Sequence, residues 1–128
     1  MRILLDTHTL LWAAFDEDAL SARARRIVQS QSNEIIVSAA SAWEVATKYR
    51  LGKLDFAQDL AENFVAEVTS AGYLLLPITP EHAQRAGLLI GAHKDPFDRM
   101  LAAQAIHENI PLLSNDTQLD VFGVRREW

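Results

Sequence analysis

The chain has 128 residues, 49% hydrophobic and 23% charged, a balance that excludes disorder and coiled coil and suits one globular domain over 1–128. Cysteine is absent, which rules out a disulfide scaffold and thiolate metal sites and fits a reducing cytoplasm. A net charge of −5 argues against a dedicated duplex-DNA binder, and no apolar run approaches the ~20 residues of a membrane span or escapes Asp6 as a signal sequence.

In chain order, residues 2–5 read as a compact buried strand, after which Thr7 or Asp6 can cap a helix carrying Leu10, Leu11, Ala14 and Phe15. The acidic run Asp16-Glu17-Asp18 interrupts it, and Ser21 caps a second helix to about residue 31. A strand at 34–37 precedes a helix at 40–51 that Gly52 ends. Leu60, Phe64 and Val68 then mark one amphipathic helix over 58–71, closed by Gly72. A strand at 73–76 stops at Pro77, and Pro80 starts a helix ending near Gly91. Pro96 opens the most regular helix, with Asn109 near its end. A strand at 111–113 follows, and 121–125 reads as a short edge strand. Strands alternating with helices imply a three-layer α/β/α domain with a central parallel sheet.

Four acids sit where these strands end or helices begin: Asp6, Glu44, Asp98 and Asp116. Taken singly, each has an ordinary explanation. Asp6 can cap a helix, Glu44 can be a solvated helix residue, and Asp116 lies in turn-like Ser114-Asn115-Asp116-Thr117. Asp98 suits the first turn of a helix, although Asp95 before Pro96 can do the capping and leave Asp98 free. Together they carry more weight, because the carboxyl ends of parallel strands share one crevice. At an effective dielectric near 20, two carboxylates ~4 Å apart repel by about 4 kcal/mol, so such a cluster calls for a cation. All-oxygen ligands favour Mg²⁺ or Mn²⁺ over Zn²⁺. His8, His82, His93 and His107 lack a paired ligand spacing and rank lower, with surface or capping roles expected. Trp12, Trp43 and Trp128 are expected in the core or at an interface. There is no nucleophile elbow and no phosphate-cradling glycine loop.

Leu4-Leu5-Asp6-Thr7-His8, Ser41-Ala42-Trp43-Glu44-Val45, Asp95-Pro96-Phe97-Asp98-Arg99 and Ser114-Asn115-Asp116 resemble the successive acidic motifs of PIN-domain nucleases, and most nearly the VapC toxins of toxin–antitoxin pairs. The resemblance extends over the whole chain and rests on the order and spacing of the boxes. It implies a PIN-like fold and Mg²⁺- or Mn²⁺-dependent endoribonuclease activity, with Asp6, Glu44, Asp98 and Asp116 as the acidic quartet. It also implies supporting roles for Thr7 and Ser114 beside the acids. A homodimer and a cognate VapB-type antitoxin are implied as partners, with operator DNA reached only through the antitoxin.

The expected mechanism is hydrolysis of an RNA phosphodiester by metal-activated water, with Asp6 and Asp98 as principal ligands. Arg99 is expected to contact substrate phosphate or to pair with an acid, and Lys48, Arg50 and Lys53 form a candidate basic rim or a solvated helix face. Two other readings stand beside this one. A phosphohydrolase or phosphotransferase would use Asp6 as nucleophile, but its usual second acid two residues on is replaced by His8. A non-catalytic binding module would keep the acids for stability.

Overall fold

The computed structural model describes residues 1–128, and its central strand is the one nearest the start of the sequence. Strand β1 (Arg2–Leu5) pairs in parallel with β2 (Glu34–Ser38) on one side and β4 (Leu112–Leu113) on the other. Outside these lie β3 (Leu74–Leu76) and β5 (Arg126–Glu127), giving a five-stranded parallel sheet in the order β3-β2-β1-β4-β5. Both faces are covered. Ile3, Leu5, Ile35, Val37 and Leu113 point into one core, while Leu4, Ile36 and Leu112 point into the other. A strand buried on both faces needs the unbroken apolar run seen in the sequence.

The first core receives α1 (Thr7–Phe15), α2 (Ala22–Gln29), α4 (Gln58–Glu62) and α5 (Phe64–Ser70). The second receives α7 (Pro96–Glu108), with Leu101, Ala102 and Ala105 against Leu4 and Leu112. Helix α3 (Ala39–Arg50) contributes Val45 to the first core and Ala40 to the second, and α6 (Pro80–Leu88) packs along α7. The three-layer α/β/α expectation is met. Strand order reverses beside β1, so the gap between the ends of β1 and β4 is the crevice that this topology opens to ligands.

Two local expectations are corrected, and one open choice is decided. The helix expected over 58–71 is two helices, broken where Asn63 takes φ −132° and ψ 43°. The break costs no backbone pairing at Asn63, whose amide donates to Asp59 and whose carbonyl accepts from Glu67, and Leu60, Phe64 and Val68 stay buried together. The edge strand expected at 121–125 is instead a 3-10 turn (Thr117–Phe122) ended by Gly123 at φ 78°, and pairing begins at Arg126. Asp6, not Thr7, caps α1.

Helix α3 ends as the sequence indicates. Gly52 at φ 76° lets the amide of Lys53 reach back to the Lys48 carbonyl, a turn that a residue with a Cβ adopts only under strain. The tryptophans divide: Trp12 packs on Trp128, whereas Trp43 is 62% exposed with its ring edge-on to Phe97. No helix is long and apolar enough to cross a membrane.

Candidate metal centre at the carboxyl end of the sheet

Asp6 follows directly on β1 and is almost wholly buried. Its Oδ1 accepts from the amides of His8 (2.6 Å) and Thr9 (3.3 Å), and its Oδ2 accepts from the hydroxyl of Ser114 at the end of β4. Ser114 in turn accepts from the Asp116 amide at 3.0 Å, so the two strand ends are joined through side chains as well as through the sheet. Thr7 and Ser41 share a buried 2.8 Å hydrogen bond that fixes the start of α1 against α3. Burial raises the Asp6 carboxyl above its ordinary range, against the opposing pull of the Ser114 hydroxyl, His8 and the two amides.

Glu44 lies on the second turn of α3 and is buried, not solvated. Its Oε2 accepts from Lys48 one turn on, at 2.5 Å, which takes Lys48 out of the expected basic rim; Arg50 and Lys53 remain exposed. Glu44 Oε1 has no partner at all. With Arg25 Nε it is one of only two buried side-chain polar atoms in that position.

Asp98 occupies the first turn of α7 because Asp95 does the capping, accepting from the amides of Phe97 (2.8 Å) and Asp98 (3.2 Å). The Asp98 carboxyl is pushed up to about 6, first by burial and then by the charges of Asp95, Asp6 and Glu44, with His93 pulling the other way. Asp116 caps the 3-10 turn through Gln118, and its other oxygen faces His93 at 3.7 Å. Asp98 and Asp116 thus stand with His93 in one group whose ligand atoms lie within 4.8 Å of one another; Asp6 and Glu44 lie outside that group but near enough for their charges to raise Asp98.

Two residues behave unlike the expectation. Arg99 neither pairs with an acid nor points to solvent: its guanidinium donates to the carbonyls of Ala86 (3.1 Å), His93 (3.2 Å) and Leu89 (2.5 Å) and lies over the Phe122 ring. It straps the 89–95 segment to α7. His93, ranked low from sequence, stands between two of the acids, with Nε2 2.8 Å from Asp98 Oδ2 and 3.7 Å from Asp116 Oδ2. Its place in the segment just before Asp-Pro-Phe-Asp-Arg was the available signal. Gly91 allows this segment to close, since a Cβ there would come within 2.8 Å of Phe122. His82 does cap a helix, forming a capping box with Thr79 at the start of α6.

The donor set suits a hard divalent cation. It offers four carboxylates and no thiolate, two of the carboxyls are held above their ordinary range, and a buried carboxylate oxygen lacks any protein partner. The residues present therefore fit a divalent cation.

Comparison with known proteins places nearly the whole chain, though not its individual site residues. The PIN domain family model matches residues 3–124. Ribonuclease VapC16 of Mycobacterium tuberculosis (strain ATCC 25618 / H37Rv) is 42% identical over 62 residues, 48% of this chain and 43% of that protein, so the match spans less than half of that relative. Among solved structures, a chain of VapBC2 from Rickettsia felis bound to a DNA fragment from their promoter superposes with a TM-score of 0.67 at 17% identity, covering 99% of this chain and 98% of that one. A chain of FitAcB from Neisseria gonorrhoeae gives 0.63 at 18% identity, covering 97% and 95%. At such identities these structures speak for the fold. The family match, running from β1 through the 3-10 turn that Asp116 caps, speaks for more: the chain belongs to the PIN domain family.

Proposed function

We propose that the protein is a divalent-metal-dependent endoribonuclease, the toxin of a toxin–antitoxin pair, with Asp6, Glu44, Asp98 and Asp116 as its metal-binding acids. The observation that carries this reading is the state of the acids: Glu44 Oε1 is buried without a partner, and Asp98 is raised by burial and by the charges of Asp95, Asp6 and Glu44. Support also comes from the relative named a ribonuclease, and from the VapBC and FitAB complexes among the structures of the same fold.

A bound Mg²⁺ or Mn²⁺ supplies a water of lowered pKa and neutralises charge on the phosphate. The chain's own residues do the rest. Ser114 and the amides of residues 8 and 9 hold Asp6 in one orientation, so little rearrangement accompanies loading. Asp98 and Asp116 stand either side of His93, and Glu44 on α3 is near enough for its charge to act on Asp98. Ser114 positions Asp6 directly, whereas Thr7 bonds Ser41 and so fixes the start of α1 against α3. Arg99 acts on the backbone, so phosphate contacts fall to the exposed Arg50 and Lys53. Single-stranded or looped RNA exposes the backbone that such a crevice requires. In-line displacement leaves a 5′-phosphate and a 3′-hydroxyl.

The same reading includes a cognate antitoxin, through which operator DNA is reached, and a homodimer. For the homodimer the support is an apolar surface in which Leu88 is 72% and Ile90 92% exposed, beside a cleft of about 660 Å³ walled by Leu89 and Phe122. Cleavage of RNA by wild type, Asp6→Asn and Asp98→Asn with Mg²⁺, Mn²⁺ or EDTA tests the chemistry. Folded variants that cut as fast as wild type, or cutting that survives EDTA, would end it. Light scattering of Ile90→Asp against wild type tests the dimer.

A further inference from the structure

We propose that His93 is itself a ligand to the divalent ion, giving the centre one nitrogen donor and a preference for Mn²⁺ over Mg²⁺. This rests on the metal-dependent reading above and names a residue and a selectivity that the acids alone do not supply.

The geometry is compatible with a coordination edge. In an octahedral ion with bonds of about 2.1 Å, adjacent donors lie about 3 Å apart and opposite donors about 4 Å. His93 Nε2 hydrogen-bonds Asp98 Oδ2 at 2.8 Å and stands 3.7 Å from Asp116 Oδ2, spacings that an ion replacing the shared proton would keep, and the three ligand atoms all lie within 4.8 Å of one another. The ring is held in place: its side chain is 13% exposed, it stacks on Phe122 at an interplanar angle of 13°, and its own carbonyl accepts from Arg99. Glu44 pairs with Lys48 through Oε2, but its buried Oε1 accepts from nothing, and its charge reaches Asp98, so an acceptor beside this group is left open to a ligand.

The other histidines lack this fit. His8 is more than half exposed and its Nδ1 stands 4.0 Å from Asp6. The second grouping of histidine and acid, His82, His107 and Glu108, fails on chemistry. His82 Nδ1 accepts from the Thr79 amide, which leaves the proton on Nε2, and that proton is donated to Glu108. Its buried ring has no lone pair free for an ion. An imidazole donor suits transition ions, whereas Mg²⁺ binds through oxygen and keeps its waters, so one nitrogen among carboxylates tilts a site toward Mn²⁺.

The test uses the purified chain loaded with Mn²⁺, read by electron spin echo envelope modulation, with Mn²⁺ and Mg²⁺ affinities from calorimetry. Wild type and His8→Gln should show imidazole nitrogen modulation, and His93→Gln should lose it. His93→Gln should also weaken Mn²⁺ binding by about tenfold while leaving Mg²⁺ binding unchanged. Modulation that persists in His93→Gln, wild type that binds Mn²⁺ without modulation, or equal losses for both ions overturns the proposal. Wild type that binds neither ion would instead overturn the metal-dependent reading beneath it.

Discussion

Two buried polar clusters sit close together on α3 and α7, and they are built on opposite principles. In the first, Ser38 donates to Gln104 at 2.5 Å, and Gln104 donates to Pro77 and His82. His82 in turn closes onto Thr79 and Glu108, and Ser38 also caps α3. Every group has a partner, and the cluster ties β2, α3, α6 and α7 together. In the second, the charges of Asp6 and Glu44 act on Asp98, Asp116 stands across His93 from it, one Glu44 oxygen is orphaned, and Asp6 and Asp98 lie above their ordinary range. The difference separates polar residues that serve the fold from those that serve a ligand. A satisfied network rigidifies, whereas an unsatisfied one is a cost that only binding relieves.

The largest expected effect breaks the second cluster. Asp98→Asn should lower metal-dependent RNA cleavage by more than about a hundredfold, since losing a ligand should exceed the 10- to 100-fold typical of outer-shell changes. The same substitution should raise the melting temperature of the metal-free protein, because it removes a charge that the fold disfavours. Thermal unfolding with and without EDTA reads both halves, and a destabilised Asp98→Asn would contradict the contrast drawn here. Gln104→Leu should do the reverse. Stranding the Ser38 hydroxyl and the Pro77 carbonyl should cost about 2 kcal/mol in urea unfolding, with metal affinity retained.

A third expectation concerns pH. Below about pH 4 Asp98 is protonated in folded and unfolded chains alike. Between there and its folded value of about 6, the unfolded chain ionises first, so stability falls as pH rises. The melting temperature of metal-free protein should therefore drop across this window. Asp98→Asn should flatten that slope, and a slope of opposite sign would show that Asp98 is not strained. The smallest effect comes from Asp95→Asn, which keeps the cap on α7 but removes one of the charges raising Asp98. Carboxyl titration by NMR should find Asp98 lower than in wild type, with stability nearly unchanged.

Much of this contrast was legible in the sequence. The apolar runs at β1, β2 and β4, the proline openings of α6 and α7, and the acids at element ends all follow local rules that the structure keeps. Asp95 reads as the cap and Asp98 as the free acid because proline fixes the first helical position. What was not legible depends on contacts between distant segments. Nothing local at Asn63 shows that tertiary packing breaks the helix there while leaving its apolar stripe intact. The burial of Glu44 depends on how α3 packs, and the position of His93 depends on Phe122 and Arg99, neither of which adjoins it. Arg99 was misread for the same reason: a charge beside an acid suggests a pair, but three carbonyls were nearer.

That strap has a consequence for how the molecule tolerates change. Arg99 recognises main-chain oxygens of Ala86, Leu89 and His93, which every amino acid carries, and it ignores their side chains. The path of the 89–95 segment is thereby uncoupled from most of its composition. Positions such as Ala92 and Lys94, which are exposed, are free to be exchanged without moving His93 or the start of α7. One guanidinium thus makes a stretch of surface beside the crevice open to variation, while the atoms that face the acids stay where they are.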